Sequence, residues 1–455
     1  MAGALFHHFV SASWYGAKTA SPALEKLDLE LGQCRGLDTA LAVLERAKLD
    51  LYALLSDRFA PPAAQALALK ILNIFLARYH FQARSAALLS RPIGLVVDPS
   101  NVCQLACPGC VHSSRAEELK IFDWRHGTLG EDCLSALLRR YGPHAIGVYF
   151  CNYGEPLLNL NTPKLIRLAK SYLLGTALST SLSVRRLDAE AYVESGLDIM
   201  ALSIDGATQQ VYERYRRNGN LELVFDNIRQ LVKAKRRLGK GTPVLSWNFL
   251  AFEHNAHEIP EAERMARQLG VNVFRVVNPF DVRWDDPEVR VANVKGRVRR
   301  LNWPSPGNLP RNWNPFPDKV DGDTIARAFE SPWSQPAVGG APPSSGHTCH
   351  WLYKNMVMDA NGRIMPCCGA PRPDADLVFA NFDGNGSDPF NSEKYRQARS
   401  FFSGAAPTSG DAPYCTRCEW DHTNVNIGRR EIRQYFRAAD ATFFDRRSLG
   451  LLSGW

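Results

Sequence analysis

Six strand-like stretches that alternate with helical stretches limit the folds open to this chain of 455 residues. Each stretch is rich in aliphatic and branched residues, and each gap between them is long enough for a helix. The stretches cover residues 93–98, 145–151, 177–182, 197–205, 243–252 and 271–278. Strands joined through helices pair in parallel, because the chain must cross back to the same end of the sheet. The pattern predicts an α/β fold of six β/α units, with ligands at the carboxyl ends of the strands.

The sequence on either side of this alternating core has a different character. Little strand pattern is seen before residue 92, where Pro61-Pro62 is predicted to separate one helix from the next. The predicted organisation is a helical N-terminal extension over 1–91, the core over 92–285, an irregular linker and candidate lid over 286–346, a small α+β domain over 347–425 and a helical tail over 426–455. In the linker, Trp303, Arg311 and Trp313 are candidates for a substrate cover or for packing on the surface.

Three cysteines follow the first predicted strand in the segment CQLACPGC. Cys103, Cys107 and Cys110 are separated by three and then two residues. Three thiolates suit a four-iron cluster with one iron left open, whereas a structural zinc or an ordinary electron-transfer cluster takes four protein ligands. The spacing therefore predicts a cluster at which a small molecule completes the site. A zinc knuckle or unrelated buried thiols are the alternatives.

This loop resembles that of the radical S-adenosylmethionine (SAM) superfamily, in which it follows the first strand of a partial (β/α)6 TIM-like barrel. Two later segments extend the resemblance, which covers roughly residues 93–278: NYGEPLLN is similar to the family's GGEP segment, and SIDGATQQVYERYR to the segment that holds the ribose and carboxylate of SAM. The resemblance implies that SAM is bound by Gly154, Glu155, Ser203, Asp205 and Arg217, with Glu155 receiving the ammonium group. Gly109 stands where many members carry an aromatic residue that leans on the adenine, so adenine packing must come from elsewhere.

A second set of cysteines lies near the other end of the chain. Cys349 is followed by Cys367 and by the pair Cys415 and Cys418, and Asp359-Ala360-Asn361-Gly362 predicts a hairpin turn that brings Cys349 and Cys367 to one end. Four soft ligands predict a closed metal site, and on ligand count alone either zinc or an iron–sulfur cluster would fit it.

The order of these cysteines resembles the twitch module, the shortened relative of the SPASM domain found after many radical SAM barrels. The resemblance implies one auxiliary 4Fe–4S cluster, with zinc as the alternative. Cys368 adjoins Cys367, and the spacing from Gly362 favours Cys367 as the ligand.

Charge and cysteine usage bear on partners and compartment. The net charge of +8 suits an acidic electron donor such as a flavodoxin or ferredoxin, or an anionic substrate, and no RNA-binding signature is present, so no nucleic-acid partner is expected. Seven of the eleven cysteines fall into two groups of predicted metal ligands, which indicates a reducing compartment. No secretory signal or unbroken apolar span is seen, and the sequence predicts a cytoplasmic protein.

The predicted N-terminal helices carry four basic residues among apolar ones: Lys70, Arg78, Arg84 and Arg91. Such helices could meet a membrane surface. We expect instead that they pack on the barrel with the basic face in water.

The resemblance implies an enzyme that cleaves SAM reductively to methionine and a 5′-deoxyadenosyl radical, which takes hydrogen from an unactivated carbon. Because the cofactor carries this step, no catalytic acid or base is assigned. The favoured substrate is a carbohydrate-like or other small polar metabolite, oxidised or epimerised in a biosynthetic pathway. The alternatives are a peptide-modifying maturase, which forms a cross-link, thioether or inverted centre, and a noncatalytic Fe–S scaffold or sensor.

Overall fold

A single ten-stranded sheet organises the molecule. The computed structural model describes residues 22–57, 59–110, 112, 126–277, 279, 289–302, 320–332, 349–367, 375–384, 386–402 and 414–417. The strands are β1 Gly94–Val97, β2 Gly147–Phe150, β3 Gly175–Thr180, β4 Ile199–Ser203, β5 Val244–Leu250, β6 Val273–Val277, β7 Arg297–Arg300, β8 Asn355–Met358, β9 Arg363–Met365 and β10 Ala380–Asn381. All six predicted strands are present as β1 to β6, so the six-unit prediction is confirmed.

The sheet has a parallel centre and antiparallel margins. Its order is β10-β9-β8-β1-β2-β3-β4-β5-β6-β7, with β8 and β1 to β6 parallel to one another and β7, β9 and β10 each antiparallel to its neighbour. The helices are α1 Pro22–Gln33, α2 Leu37–Ser56, α3 Pro61–Gln82, α4 Glu131–Tyr141, α5 Thr162–Lys170, α6 Ala189–Glu194, α7 Gln209–Tyr215, α8 Leu221–Arg237, α9 Ile259–Gln268, α10 Gly322–Glu330, α11 Trp351–Lys354 and α12 Glu393–Phe402. Short 3₁₀ turns lie at Pro156–Leu158, Ala256–Glu258, Ala375–Leu377, Pro389–Asn391 and Tyr414–Arg417. The observed α/β fold with its parallel-rich sheet is therefore consistent with the predicted partial (β/α)6 barrel.

The two faces of the parallel strands differ in chemistry. On the helix-facing side, Trp247 of β5 packs on Phe225 of α8 at 6.0 Å between ring centroids and on Phe274 of β6 at 5.9 Å. Because successive strand residues point to opposite faces, their neighbours line the inside of the barrel. This inner face carries polar side chains at Ser179, Ser203, Ser246, Asn248 and Arg275.

The N-terminal extension contains three described helices, and α3 begins at the Pro61-Pro62 pair. Its Lys70 is fully buried and donates hydrogen bonds to the carbonyl oxygens of Gly142, over 2.7 Å, and of Ala145. Arg91 pairs with Asp388 at 2.7 Å. The expectation of a basic face in water is therefore wrong for Lys70 and Arg91, which bind groups inside the protein. Among the described residues, no helix is long and apolar enough to cross a membrane.

The predicted hairpin near the C-terminal end is confirmed, and it belongs to the main sheet. The amide of Gly362 donates to the carbonyl of Asp359 at 3.1 Å, and Gly362 has a φ of +80°, a conformation that favours glycine. The first hairpin strand, β8, pairs with β1 in the register Gly94↔Asn355 to Val97↔Met358. The hairpin thus covers the β1 edge of the barrel.

Candidate functional site

The candidate site lies beyond the carboxyl ends of β1 to β6, where the loop with the first three cysteines meets three other loops. The amide of Glu155, after β2, donates to the carbonyl of Val102 at 2.8 Å. After β3, the carbonyl of Ser183 accepts from Gln104 Nε2 at 2.8 Å. After β4, the carbonyl of Arg217 accepts from the amide of Ala106 at 3.2 Å. These hydrogen bonds fix the cysteine loop against the segments that the sequence linked to SAM.

The three thiols share one apolar cluster. Cys107 is 5% exposed, and Cys103 and Cys110 are half-buried against the same group of side chains. The other members of this group are Leu105, Tyr215, Leu250, Phe252, Val277 and Val289. Gly109 has a φ of +72°, in the left-handed region where a side chain is strained. The turn before Cys110 therefore accounts for glycine at that position.

Burial controls the acidity of these thiols. It raises the pKa of Cys107 to about 12, with Arg216 opposing the rise, and it raises the pKa of Cys103 well above its ordinary value, with the Glu155 carboxylate adding to the rise. Buried thiols are neutral unless a cation stabilises their thiolates. Within the described part of the chain, no three cysteine, histidine or carboxylate side chains already converge as a metal-binding group.

Arg216 supplies a buried cation beside these thiols. Its Nε donates to Asp205 Oδ2 at 2.6 Å, and its Nη1 lies 3.8 Å from Cys107 Sγ. Its Nη2 is buried and has no hydrogen-bond partner among the described residues. Burial opposes the charge of Arg216, but Asp205 and Cys107 together raise its pKa well above its usual range. A loop of soft thiols beside a buried guanidinium, whose Nη1 lies next to Cys107 Sγ, fits an anionic iron–sulfur cluster.

The predicted residues Asp205 and Arg217 have separate contacts. Asp205 is fully buried and accepts from the amide of Leu250 at 2.7 Å as well as from Arg216. Burial raises the pKa of Asp205, and Arg216 opposes that rise. Arg217 is half-buried, and its carbonyl receives the cysteine loop. Arg216 was therefore missed in the sequence analysis. The point at which α7 ends decides whether Arg216 or Arg217 points inward.

Glu155, the middle residue of the GEP segment, is buried and binds the carboxyl end of β3. Its Oε1 accepts from Thr180 Oγ1 at 2.6 Å and from the amide of Leu157 at 3.2 Å. Its Oε2 accepts from the amide of Ser181 at 2.8 Å and from Ser181 Oγ at 2.7 Å. Burial raises the pKa of Glu155, and these four donors oppose the rise. They account for the four lone-pair directions of the carboxylate.

The turn before Glu155 depends on a close backbone contact. A Cβ added at Gly154 would lie 1.7 Å from the carbonyl oxygen of Ser100, so only glycine fits there. Asp98, fully buried after β1, accepts from the amides of Tyr153 at 3.0 Å and Gly154 at 3.4 Å. Burial raises the pKa of Asp98 to about 7. Asp98 was not singled out from the sequence, although an acidic residue directly after a buried strand was a usable signal.

Ser203 ends β4 on the inner face of the barrel. Its Oγ lies 3.3 Å from Ser179 Oγ, and both side chains are buried. Ser203 therefore contributes to the polar interior of the barrel, whereas Asp205 binds Arg216.

The described members of the second cysteine set lie at the other end of the sheet. Cys349 precedes α11 and β8, and Cys367 follows the antiparallel strand β9, so both are at the amino ends of the parallel strands. Cys349 and Cys415 are both buried. Tyr395 of α12 is buried near Cys367 and Cys415; burial raises its pKa well above the usual value, and both thiols add to the rise. Cys418, Cys368 and the linker residues Trp303, Arg311 and Trp313 lie outside the described residues.

Comparisons with known proteins found a family model, curated relatives and solved structures that are similar to this chain. Residues 97–248 match the model of the radical SAM superfamily. The chain is 23% identical over 304 residues to the PqqA peptide cyclase of Gluconobacter oxydans (65% of this chain, 75% of that protein). It is 26% identical over 246 residues to the GTP 3′,8-cyclase of Moorella thermoacetica (50% and 71%). Among solved structures, Streptococcus suis SuiB is similar, with a TM-score of 0.46 and 16% identity over 85% of each chain.

Proposed function

Because the chain belongs to the radical SAM superfamily and is an enzyme that uses a 4Fe–4S cluster and SAM, we propose that it modifies a peptide substrate. The observation that carries the enzymatic assignment is the apolar cluster that holds Cys103, Cys107 and Cys110, with the buried Arg216 guanidinium beside Cys107. The peptide assignment is supported by the PqqA peptide cyclase, whose similarity extends over more of this chain than that of the GTP cyclases.

In this proposal Cys103, Cys107 and Cys110 hold the cluster, and Arg216 donates a charged hydrogen bond toward it. When bound, the cluster and SAM supply a 5′-deoxyadenosyl radical that takes hydrogen from an unactivated carbon. The protein's own role is to orient the groups and exclude water. The apolar side chains around the thiols, with Leu250 and Phe252 from the β5 end, serve that exclusion.

The remaining predicted SAM contacts are also proposals. Glu155 would receive the ammonium group of SAM in place of the hydroxyl of Thr180 or of Ser181, because these two rotatable donors can give way while the backbone amides stay. Gly154 would let the GEP turn approach the cysteine loop. Asp205 would act by holding Arg216, and Ser203 and Arg217 would complete the rim at the β4 end.

The second cysteine set is proposed to hold one auxiliary 4Fe–4S cluster, with zinc as the rival. Cys349, Cys367 and Cys415 would supply three thiolates and Cys418 the fourth. Since these described thiols are at the amino ends of the strands, the two clusters would face each other through the barrel interior. A bound substrate would then lie between a radical source and an electron acceptor, as a net oxidation requires.

A small polar metabolite is the second candidate substrate. The similarity to GTP 3′,8-cyclases favours it, since those proteins are named for a nucleotide substrate. The two candidates share the cofactor site and differ only in what enters the barrel. An acidic flavodoxin or ferredoxin is proposed as the electron donor in either case, because the chain is basic.

The first experiment is anaerobic reconstitution of the wild type and of the C103A/C107A/C110A variant. We expect about eight irons in the wild type and about four in the variant, with 5′-deoxyadenosine formed only by the wild type. Cys34→Ala is the matched control, because that thiol lies on the N-terminal extension and only bonds the carbonyl of Glu30. A triple variant that still forms 5′-deoxyadenosine would overturn the cluster assignment.

The substrate is tested by offering the active enzyme, with SAM and dithionite, peptides encoded beside its gene and, separately, GTP and sugar nucleotides. A SAM-dependent mass change in a peptide supports the peptide proposal. A product from a nucleotide or sugar alone would favour the second candidate. About four irons and one zinc in the wild type would make the second cysteine set structural.

A further inference from the structure

A buried guanidinium that has no partner among the described residues lies on the inner face of the barrel. Arg275 of β6 is 8% exposed, and its side chain makes no hydrogen bond, ion pair or ring contact with any described residue. Burial lowers its pKa to about 10, and no carboxylate among the described residues opposes the effect. A buried charge left unpaired is costly, and proteins keep one where a ligand completes it.

The strand register puts a second unused donor next to Arg275. Asn248 of β5 is its direct partner across the parallel pair, about 4.8 Å away between strands. Asn248 Oδ1 accepts from Ser246 Oγ at 3.2 Å, and Nδ2 makes no hydrogen bond to the described residues. The packing of Trp247 and Phe274 against the helix side fixes both polar side chains on the inner side. A guanidinium and an amide N–H group therefore face the same space.

This space lies one layer below the cysteine loop. Leu250 and Val277, each two residues further along its strand, belong to the apolar cluster that holds the three thiols. Two residues of a strand span about 7 Å. A group bound to Arg275 would thus hold the rest of a molecule against the site where SAM is expected, between the two cysteine sets.

The charge on this face limits what can bind. Along β1 to β6 and β8, Arg275 is the one lysine or arginine among the inward-facing strand residues. One buried positive charge is balanced by one negative charge, which a carboxylate carries and a phosphate dianion exceeds. Guanidinium and carboxylate also match as a pair of forked hydrogen bonds.

We propose that Arg275 and Asn248 form a carboxylate-binding subsite in the barrel, which holds an acidic side chain of the peptide substrate beneath the SAM cluster. This assignment rests on the proposed function, because it names the substrate group that enters the same site. It makes Arg275 a determinant of specificity: the enzyme selects peptides with a glutamate or aspartate close to the carbon that loses hydrogen.

The test measures the melting temperature of the reconstituted full-length enzyme with SAM present throughout, so that the carboxylate of SAM is not the anion detected. The probes are N-acetylglutamate α-amide, its neutral glutamine counterpart and inorganic phosphate. We expect the glutamate probe to raise the melting temperature of the wild type by about 2 °C or more, and the glutamine probe and phosphate to leave it unchanged.

Three variants separate a binding role from a structural one. Arg275→Met should melt higher than the wild type without ligand and lose the response to the glutamate probe, because an unpaired buried charge is removed. Asn248→Asp should also melt higher and lose the response, because its carboxylate pairs with Arg275. Arg299→Met, which removes an exposed guanidinium on β7, should keep the wild-type response.

Opposite results would overturn the subsite. One such result is a lower melting temperature for Arg275→Met than for the wild type. The others are a response to the glutamate probe that persists in Arg275→Met, and a response of the wild type to phosphate alone. The melting temperature is measured without turnover, so it can be interpreted even if no peptide product is found. Conversely, loss of the probe response does not bear on whether SAM is cleaved.

Discussion

Arg216 and Asp205 form a buried ion pair, 2.6 Å from Nε to Oδ2, whose other side faces Cys107. Asp205 is held in turn by the amide of Leu250, at the end of β5. The pair therefore connects the β4 and β5 ends to the loop that carries the three thiols, and it fixes the direction of the Arg216 N–H groups.

Replacing Arg216 should impair both stability and the cofactor site. In Arg216→Gln, Asp205 becomes a buried charge without its cation, which costs about 3–5 kcal/mol. We expect less bound iron and at least a tenfold loss of 5′-deoxyadenosine formation, measured after anaerobic reconstitution. Arg214→Gln is the control, because Arg214 is exposed and lies two residues before Arg216. This variant should behave as wild type.

Lysine should not substitute for Arg216. A single ammonium cannot donate to Asp205 and face Cys107 from two fixed directions, as the guanidinium fork does. An Arg216→Lys enzyme with full iron content and full SAM cleavage would contradict this view of the pair.

A methyl group at Gly154 should disrupt the GEP turn. The added Cβ of Gly154→Ala would meet the backbone oxygen of Ser100 at 1.7 Å, and a backbone atom cannot move away cheaply. We expect a loss of stability of about 2 kcal/mol or more and loss of SAM binding, measured by denaturant unfolding and by equilibrium dialysis. Gly130→Ala has no atom within 4 Å of the new Cβ and should change neither. Normal SAM binding by Gly154→Ala would show that the turn tolerates displacement.

The pH dependence of stability should show that the pKa of the buried Asp98 carboxyl is raised in the folded state. Burial raises its folded pKa from 3.8 to about 7, so in that window the folded state binds more protons than the unfolded state. The contribution of Asp98 to the free energy of unfolding therefore falls by roughly 4 kcal/mol at most as the pH rises from 3.8 to about 7. Above about pH 7 this contribution is constant. The difference in unfolding free energy between wild type and Asp98→Asn should follow this curve. A difference that grows in favour of the wild type with pH would mean that the amides of Tyr153 and Gly154 outweigh burial.

Lys70 should matter for folding rather than for catalysis. Lys70→Met leaves the buried carbonyls of Gly142 and Ala145 without this donor, which costs about 1–3 kcal/mol. Unfolding by denaturant measures the cost, with Lys26→Met, an exposed position on α1, as the reference. Equal stability of the two variants would show that water or another group replaces the amine.

The sequence predicted what depends on local pattern. The six parallel strands follow from apolar runs separated by helices, and the turn at Asp359–Gly362 follows from the residues Asp-Ala-Asn-Gly between two strand-like stretches. Pairings distant in the chain were not predictable in this way. Nothing in the segment NMVM indicates that β8 lies beside β1, because any buried strand edge would accept it.

The same limit applies to individual side chains. Lys70 and Arg91 occur at a spacing that suits a solvated face, and only the tertiary structure supplies the carbonyls and the carboxylate that they bind. Arg275 sits in an apolar strand, where one arginine has no sequence signature of a ligand site. Arg275 is a candidate ligand site because it lacks a hydrogen-bond or ion-pair partner among the described residues, and a sequence does not show this.

The pairing of β1 with β8 has a consequence for how the protein is made. β1 is synthesised early, yet one of its two neighbours is delivered only after the linker and α10 have left the ribosome. Until then the nascent barrel has an open edge next to the cysteine loop, and such edges are prone to pair with other chains. Completion of the sheet is therefore a late event in biogenesis.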